Sequence, residues 1–474
     1  AETTCAPAAA ARNTRNAAAR LQADFFDRKI FERVLGVEPP EGAQPLQGNF
    51  LNKVPPNIHL HSFTVNSIQE DKMPIKTAKN RHHLMVPGFR AAGVACGLKK
   101  TGALDLALII SDTRADVAGV FTKNKVKAAP VLLDIKRVKK GVSRGVIVNS
   151  GNANVSTGKA GFTNALRMAS AVEKGLGLKS GEILVASTGV IGVMPAIEKI
   201  EAGAPGLIRG LGSQGLTDAA NAIMTTDAFQ KTATARGRIN GKSVTVAGIA
   251  KGAGMICPDM ATMLAFILTD ANIRHPALKK ALKEAVDLSL NSIAVDNDTS
   301  TNDTVLIFAN GVSKGREIKT GTVDFRAFCR LLNEVALKLA HLIVKDGEGA
   351  TRFIEIDIKG AASVADAKRA AKTIATSMLV KTAFFGADPN WGRIMAALGR
   401  AGIRMKADRV DITFNGVPVA RRGMDTGKEK EAAKVMKEKE VNMTVNLGIG
   451  KAAWRFWTTD LTYEYVRLNA EYTT

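Results

Sequence analysis

The stretch KGAGMICPDMATMLAFILTD, from Lys251 to Asp270, sets a glycine-rich turn and a small hydroxyl directly before an apolar run. The hydroxyl is that of Thr262, with Ala261 before it and Met263 after it. Ala261 is small and leaves its carbonyl open to attack by the Thr262 oxygen. Breaking the 261–262 bond would give Thr262 a free α-amine. Such an amine titrates near ~7.7–8, against ~10.4 for a lysine. It can therefore act as general base for its own hydroxyl. The bland alternative is that threonine is a good strand former, and this reasoning alone does not select Thr262 from the other threonines of the chain.

A base of this kind suits a chain that is poor in histidine. His59, His61, His82 and His83 lie near the N-terminus, and only His275 and His341 lie deeper. Both of the latter fall in helical patterns, HPALKKALKEAVDLSL and AFCRLLNEVALKLAHLIVKD, and read as surface or packing residues. A Ser/His/Asp hydrolase would have few candidates for its base. Cys5, Cys96, Cys257 and Cys329 are far apart, with no CxxC, which argues against a structural zinc or a disulfide framework and for a reducing compartment.

The glycine-rich pieces SGNAN (150–154), STGVIG (187–192), KGAGM (251–255) and DGEGAT (346–351) each adjoin a β run or a long helix. KGAGM is not a P-loop, because its lysine precedes its glycines. Any one of them alone reads as a turn. Four in such positions point to one pocket lined by backbone N–H groups.

The elements that must hold these pieces read as short strands at 105–112, 144–151, 181–187, 243–250, 263–270, 303–311, 352–360, 409–419 and 441–450. Helical patterns cover 164–178, 276–293 and 324–345, with a lysine-rich surface helix at 427–440. The helix at 324–345 carries Phe325, Phe328, Leu332, Val335, Leu339 and Leu342 at a helical period. DPNWGR (388–393) reads as an Asx-type turn with Trp391 as a packing anchor. Strands interrupted by helices suggest an α+β layered fold.

The chain has 474 residues, 46% of them hydrophobic, which is ample for a large core. No window approaches the ~18 apolar residues of a membrane span. The net charge of +22 raises nucleic acid as a partner. Aromatic residues are only 5%, however, and the densest basic runs, KNKVK (123–127) and KRVKK (136–140), are short. A basic enzyme is the better reading, with charged small substrates as one reason for its field. Residues 1–85 differ from the rest. Their Ala-rich start with Arg12, Arg15 and Arg20 resembles an organelle transit segment, against which Glu2 and Asp24 weigh, and a Pro/Gly/Asn-rich linker follows.

Seven motifs in order, STGVIG, MTTDAFQK, KGAGMICPDMATMLAFILTDA, VDNDTSTNDT, DGEGAT, GADPNWGRI and DLTYEYVRLNAEYTT, resemble the ArgJ family of ornithine acetyltransferases from Val86 to Thr474. The resemblance implies a layered αββα sandwich of the kind shared with DmpA, carrying an N-terminal nucleophile made by self-cleavage. It implies scission between Ala261 and Thr262, with an α chain of 86–261 and a β chain of 262–474. Thr262 matches the nucleophile, and Thr188 and Gly189 match the oxyanion pair. Thr225 (beside Thr226), Lys251, Glu348, Asn469 and Thr474 match substrate-binding positions. Lys251 and Glu348 would meet the carboxylate and ammonium of an amino acid; otherwise they are a surface pair of little value.

The implied reaction moves acetyl from N2-acetyl-L-ornithine to L-glutamate, in a cyclic route of arginine biosynthesis, through an acetyl-threonine. Acetyl-CoA is a second donor for some members. No metal or organic cofactor, nucleic acid or membrane is called for. A dimer of αβ units or a larger assembly is implied. The compartment is the mitochondrial matrix for a eukaryotic chain and the cytoplasm otherwise. The chain departs from the family at Asp259, where Asn is commonest, and at Asn297, where Gly is frequent. The rivals are an aminopeptidase or amidase on the same fold and, more remotely, a nucleic-acid-binding protein.

Overall fold

The computed structural model describes residues 84–257 and 263–471. Ala261, Thr262, Thr474, Asp259 and the segment before residue 84 lie outside the described residues. The elements run β1 (Phe89–Val94), β2 (Leu106–Phe121), α1 (Ala129–Arg137), β3 (Val142–Asn152), α2 (Gly158–Gly175), β4 (Ile183–Val190), α3 (Ile197–Arg209) and α4 (Leu216–Ala222). Then come β5 (Lys231–Ile239), β6 (Lys242–Lys251), β7 (Leu264–Thr269), α5 (His275–Leu288), β8 (Ile293–Ala294), β9 (Thr304–Ala309) and α6 (Val323–Lys345). The last third holds β10 (Phe353–Ala361), α7 (Val364–Ala375), α8 (Met378–Phe385), α9 (Trp391–Gly399), β11 (Asp411–Phe414), β12 (Val417–Arg421), β13 (Met424–Asp425), α10 (Glu429–Val435), β14 (Glu440–Asn446), β15 (Ala452–Thr459) and α11 (Tyr463–Glu471).

One sheet has the order β4-β3-β2-β9-β7-β6-β5, with β1 on β2. Alternation along each strand decides what its two faces cover. Leu106, Leu108 and Ile110 of β2, with Ile183 and Val185 of β4, pack under α1, α2 and α3. Ala265 and Ile267 of β7, with Val305 and Ile307 of β9, pack under α5 and α6. The intervening residues, Ala107, Ile109, Leu184, Ala186, Leu264, Phe266, Leu306 and Phe308, share one further core. The layers thus follow the order helix, sheet, sheet, helix, and the α+β sandwich is the architecture found. β2 serves both halves. Its register shifts between Ile110 and Ala115, and Asp112, Thr113 and Arg114 are exposed there. The polar SDTRAD segment, which reads as the end of a strand, is a bulge within a longer one.

A second sheet has the order β13-β12-β11-β14-β10-β15-β8. Ile354, Ile356 and Ile358 of β10 pack under Ala367, Ala371 and Ile374 of α7. The run at 409–419, expected as one strand, is a hairpin, because Asn415 and Gly416 take φ of 44° and 84°. An Asn-Gly pair of this kind makes a two-residue turn. Asn390 caps α9 by accepting the Arg393 N–H at 3.2 Å, and Trp391 packs partly buried on the core.

α6 joins the two sheets. Thr322 caps it by accepting the Phe325 N–H. Phe325, Phe328, Leu332, Val335 and Leu339 form its buried stripe as expected, with Ile343 rather than Leu342 at its end. Each such side chain contributes about 1.5–3 kcal/mol. His275 Nδ1 donates to Val117 O over 2.7 Å, and His341 lies against Phe353 and Trp457. Both are packing residues.

Candidate active site

The four glycine-rich loops do meet. A cavity of about 250 Å³ is lined by Thr188 and Gly189, Thr225 and Thr226, Lys251, Gly254 and Met255, Glu348, Tyr465 and Asn469, and by Asp296, Asp298, Ser300 and Asn302. Ala153, just past SGN, completes that wall.

Thr188 and Gly189 stand near the end of β4, which runs parallel to β3 with Gly151 opposite Gly189. Gly189 has φ +133°, and a Cβ there would lie 2.3 Å from Gly151 C. Only glycine lets the two strands close at this point. Asn302 bridges β4 and the residue after β3, its Nδ2 donating to Ala153 O at 2.6 Å and Ser187 O at 2.7 Å.

Lys251 ends β6 and is buried. Its Nζ lies 3.5 Å from Thr188 Oγ1 and 4.0 Å from Asp227 Oδ2. Burial pushes its ammonium below the ordinary lysine value, and Lys231 adds to the fall, while Asp227, Glu348 and Asp303 pull the other way. It is no surface group. Burial alone would raise the carboxyl of Asp227, but Lys251 and Lys231 hold it at about 2.

Glu348 follows α6. Its N–H donates to Ala253 O at 3.0 Å, and its carboxylate lies so close to Gly254 that a Cβ there would sit 2.3 Å from Oε2. Asn469 of α11 donates to Glu348 Oε2 at 3.0 Å. The helix is docked by Thr462, whose Oγ1 donates to Gly349 O at 2.7 Å, and by Asp460, which accepts the N–H groups of Thr351 and Arg352. Asn469, expected in a tail that would otherwise fray, is thus fixed by a helix.

Several residues that sequence reasoning left without a role also line the cavity. Asp296 Oδ2 accepts the Met255 N–H at 2.7 Å and meets the Tyr465 hydroxyl at 3.4 Å. Burial raises its carboxyl to about 6. Asp298 and Ser300 lie beside it. The signal was the run DNDTSTNDT, polar throughout between two apolar segments. Asp303, at its end, accepts the N–H of Met263, the residue after Thr262, at 3.0 Å.

A family model described as the ArgJ family matches residues 90–474. The chain belongs to the ArgJ family. It is 51% identical over 391 residues to the Arginine biosynthesis bifunctional protein ArgJ of Geobacter sulfurreducens, covering 82% of this chain and 100% of that one. It is 48% identical over 394 residues to the protein of the same name from Syntrophotalea carbinolica, covering 82% and 99%. Among solved structures it resembles ArgJ of Bacillus halodurans, at 42% identity and a TM-score of 0.43, over 44% of this chain and 98% of that chain. It also resembles the ornithine acetyltransferase of Mycobacterium tuberculosis complexed with ornithine, at 40% identity and a TM-score of 0.33, over 37% and 94%. Thr188, Gly189, Thr225, Lys251, Glu348 and Asn469, the six described residues among those expected at the site, all line this cavity.

Proposed function

We propose that the protein moves acetyl from N2-acetyl-L-ornithine to L-glutamate through an ester on Thr262, after its own cleavage between Ala261 and Thr262. The Thr262 oxygen attacks the acetyl carbonyl while its α-amine takes the proton. The carbon–nitrogen bond breaks, and that proton passes to the departing ornithine amine. Glutamate's amine then attacks the ester, its surplus proton restores the threonine hydroxyl, and N-acetylglutamate leaves. The Thr188 hydroxyl and the Gly189 N–H face the oxyanion, where one donor contributes on the order of 3–4 kcal/mol. Lys251 meets a substrate carboxylate, and Glu348, steadied by Asn469, meets an ammonium. Thr225 and Thr474 complete the binding set. Acetyl-CoA enters as an alternative donor, its thioester taking the place of the amide.

The observation that carries this reading is the convergence of six residues, from Thr188 to Asn469, on one cavity of amino-acid scale. Its lining holds a buried ammonium, Lys251, together with the carboxylates of Asp296, Asp298 and Glu348, which suits a ligand bearing both charges. The 86–261 and 262–474 chains would remain one folded body, because β7 pairs with β6 across the cleavage point. Intact mass tests the first step, with two fragments meeting at 261/262 expected. Product analysis tests the second. N-acetylglutamate should form in step with ornithine, and Thr262→Ala should abolish it. Release of acetate without glutamate would favour the amidase instead.

A further inference from the structure

Asp227 and Lys231 take no part in that scheme, yet neither side chain has solvent contact. Lys231 opens β5. Its Nζ donates to Asp227 Oδ1 at 2.5 Å, to Asp346 Oδ2, and to Phe229 O at 3.4 Å. Asp227 also accepts the Gly252 N–H at 2.7 Å and the Thr225 N–H at 2.9 Å, besides facing Lys251. Asp346 accepts the Ala228 N–H at 3.1 Å. Three segments of the cavity wall, 225–228, 251–254 and 346–348, are therefore tied to one ionic knot behind it.

The knot is neutral, with two carboxylates and two ammonium groups. Burying ions costs more than their attraction returns unless pairing is excellent, and apolar replacements are often as stable. Stability alone is thus a poor reason for this cluster. What it does is fix the loops that carry the substrate-facing groups.

We infer that Lys231 is a positioning residue for acetyl transfer: by pinning Asp227 and Asp346 it sets both the place and the charge of Lys251. The inference rests on the proposed function, because it takes Lys251 as the group that meets the substrate carboxylate. The charged groups facing Lys251 are Asp227, Lys231, Glu348, Asp303 and, from the β1–β2 connection, Lys99. Burial is the main force lowering the Lys251 ammonium. Lys231 lowers it further by repulsion, and Asp227 raises it by attraction. Removing one or the other must therefore move Lys251 in opposite directions.

The experiment is kcat/KM for the cleaved enzyme against pH, in wild type, Lys231→Met and Asp227→Asn. Activity needs the Lys251 ammonium, so it falls on the alkaline side as that group loses its proton. Lys231→Met should shift this limb to higher pH and Asp227→Asn to lower pH. Each should also cut kcat/KM about a hundredfold at the optimum, as expected for a displaced wall, with KM carrying most of the loss. Lys231→Arg should restore part of it. Limbs that stay in place, or move together, would overturn the inference, because a merely structural role lowers activity without opposed shifts. If Lys231→Met does not fold, Lys231→Gln takes its place, with the same upward shift expected against the downward shift of Asp227→Asn. Thr262→Ala keeps the two readings apart. Undiminished transfer there sinks the proposed function, whereas a dead Thr262→Ala with unmoved limbs sinks only this inference.

Discussion

Replacing Gly189 by alanine puts a Cβ where the neighbouring strand already runs. It would sit 2.3 Å from Gly151 C, 2.5 Å from Asn152 N and 2.7 Å from Gly151 Cα. Carbon atoms rest at about 3.5–4.0 Å, so β3 and β4 must part by about 1 Å at their ends. The backbone at φ +133° adds strain, about 1–2 kcal/mol for a side chain held in a left-handed conformation. That strain falls on the fold. The displacement falls on the chemistry, because it carries the Gly189 N–H and the Thr188 hydroxyl away from the oxyanion. Losing one such donor costs about 10²–10³ in kcat. Gly192→Ala is the control, with φ +81° and nothing within 4 Å of its Cβ. It bears the strain without the clash and should keep kcat within about threefold, since a 1 Å misplacement rather than strain is what costs about 10². The assay is the initial rate of N-acetylglutamate formation per cleaved molecule, with cleavage counted by intact mass. Gly189→Ala turning over at the wild-type rate would refute the oxyanion assignment and the claim that this strand junction sets it.

Gly349→Ala, at φ +65° with its Cβ 2.4 Å from Tyr465 N, should push α11 and Asn469 off Glu348. KM for both amino acids should rise about tenfold or more, measured by steady-state kinetics. Burial holds the His341 imidazole at about 4, below its ordinary ~6.5, so its stability contribution is full above ~6.5 and is lost as pH falls toward about 4. His341→Phe should therefore resist urea better than wild type at about pH 5, with the advantage vanishing by about pH 8. Asp296 has the opposite sign. Its carboxyl is raised to about 6, so its contribution is full below the usual ~3.9 and is lost as pH rises through about 6. Asp296→Asn should flatten that part of the melting-temperature profile relative to wild type.

Much of the fold was legible because its elements obey simple periods. The stripe of α6, the start of α5 at His275 and the central strands follow from apolar spacing. The strand β2 was cut short at SDTRAD because a bulge uses the same polar residues as a turn. The β11–β12 hairpin was hidden inside what reads as one run, although Asn415-Gly416 is a strong turn signal. The site was legible only as separate loops. Spacing along the chain says nothing of which loops meet, and Thr188 and Asn469 meet because a bent sheet and a docked C-terminal helix bring them together.

The charge of the cavity was the least legible property. A chain of +22 suggests a basic pocket, yet the lining has one ammonium, Lys251, against Asp296, Asp298 and Glu348. The expected link between the basic field and the substrates is therefore not made by the lining itself. The KNKVK run is fastened beside it instead, Asn124 Nδ2 donating to Thr299 O at 2.8 Å and Thr122 Oγ1 to Ser300 O at 2.7 Å. At physiological salt the field of exposed charges fades over about 8 Å, so such a run acts on the approach of a ligand rather than on its seat. Inside, where water is excluded, the balance is set by buried partners. Asp227 pulls the Lys251 ammonium up against its burial, and Lys251 and Lys231 together hold the Asp227 carboxyl down. Net charge averages over both regimes, which is why composition could not reveal the sign of the site.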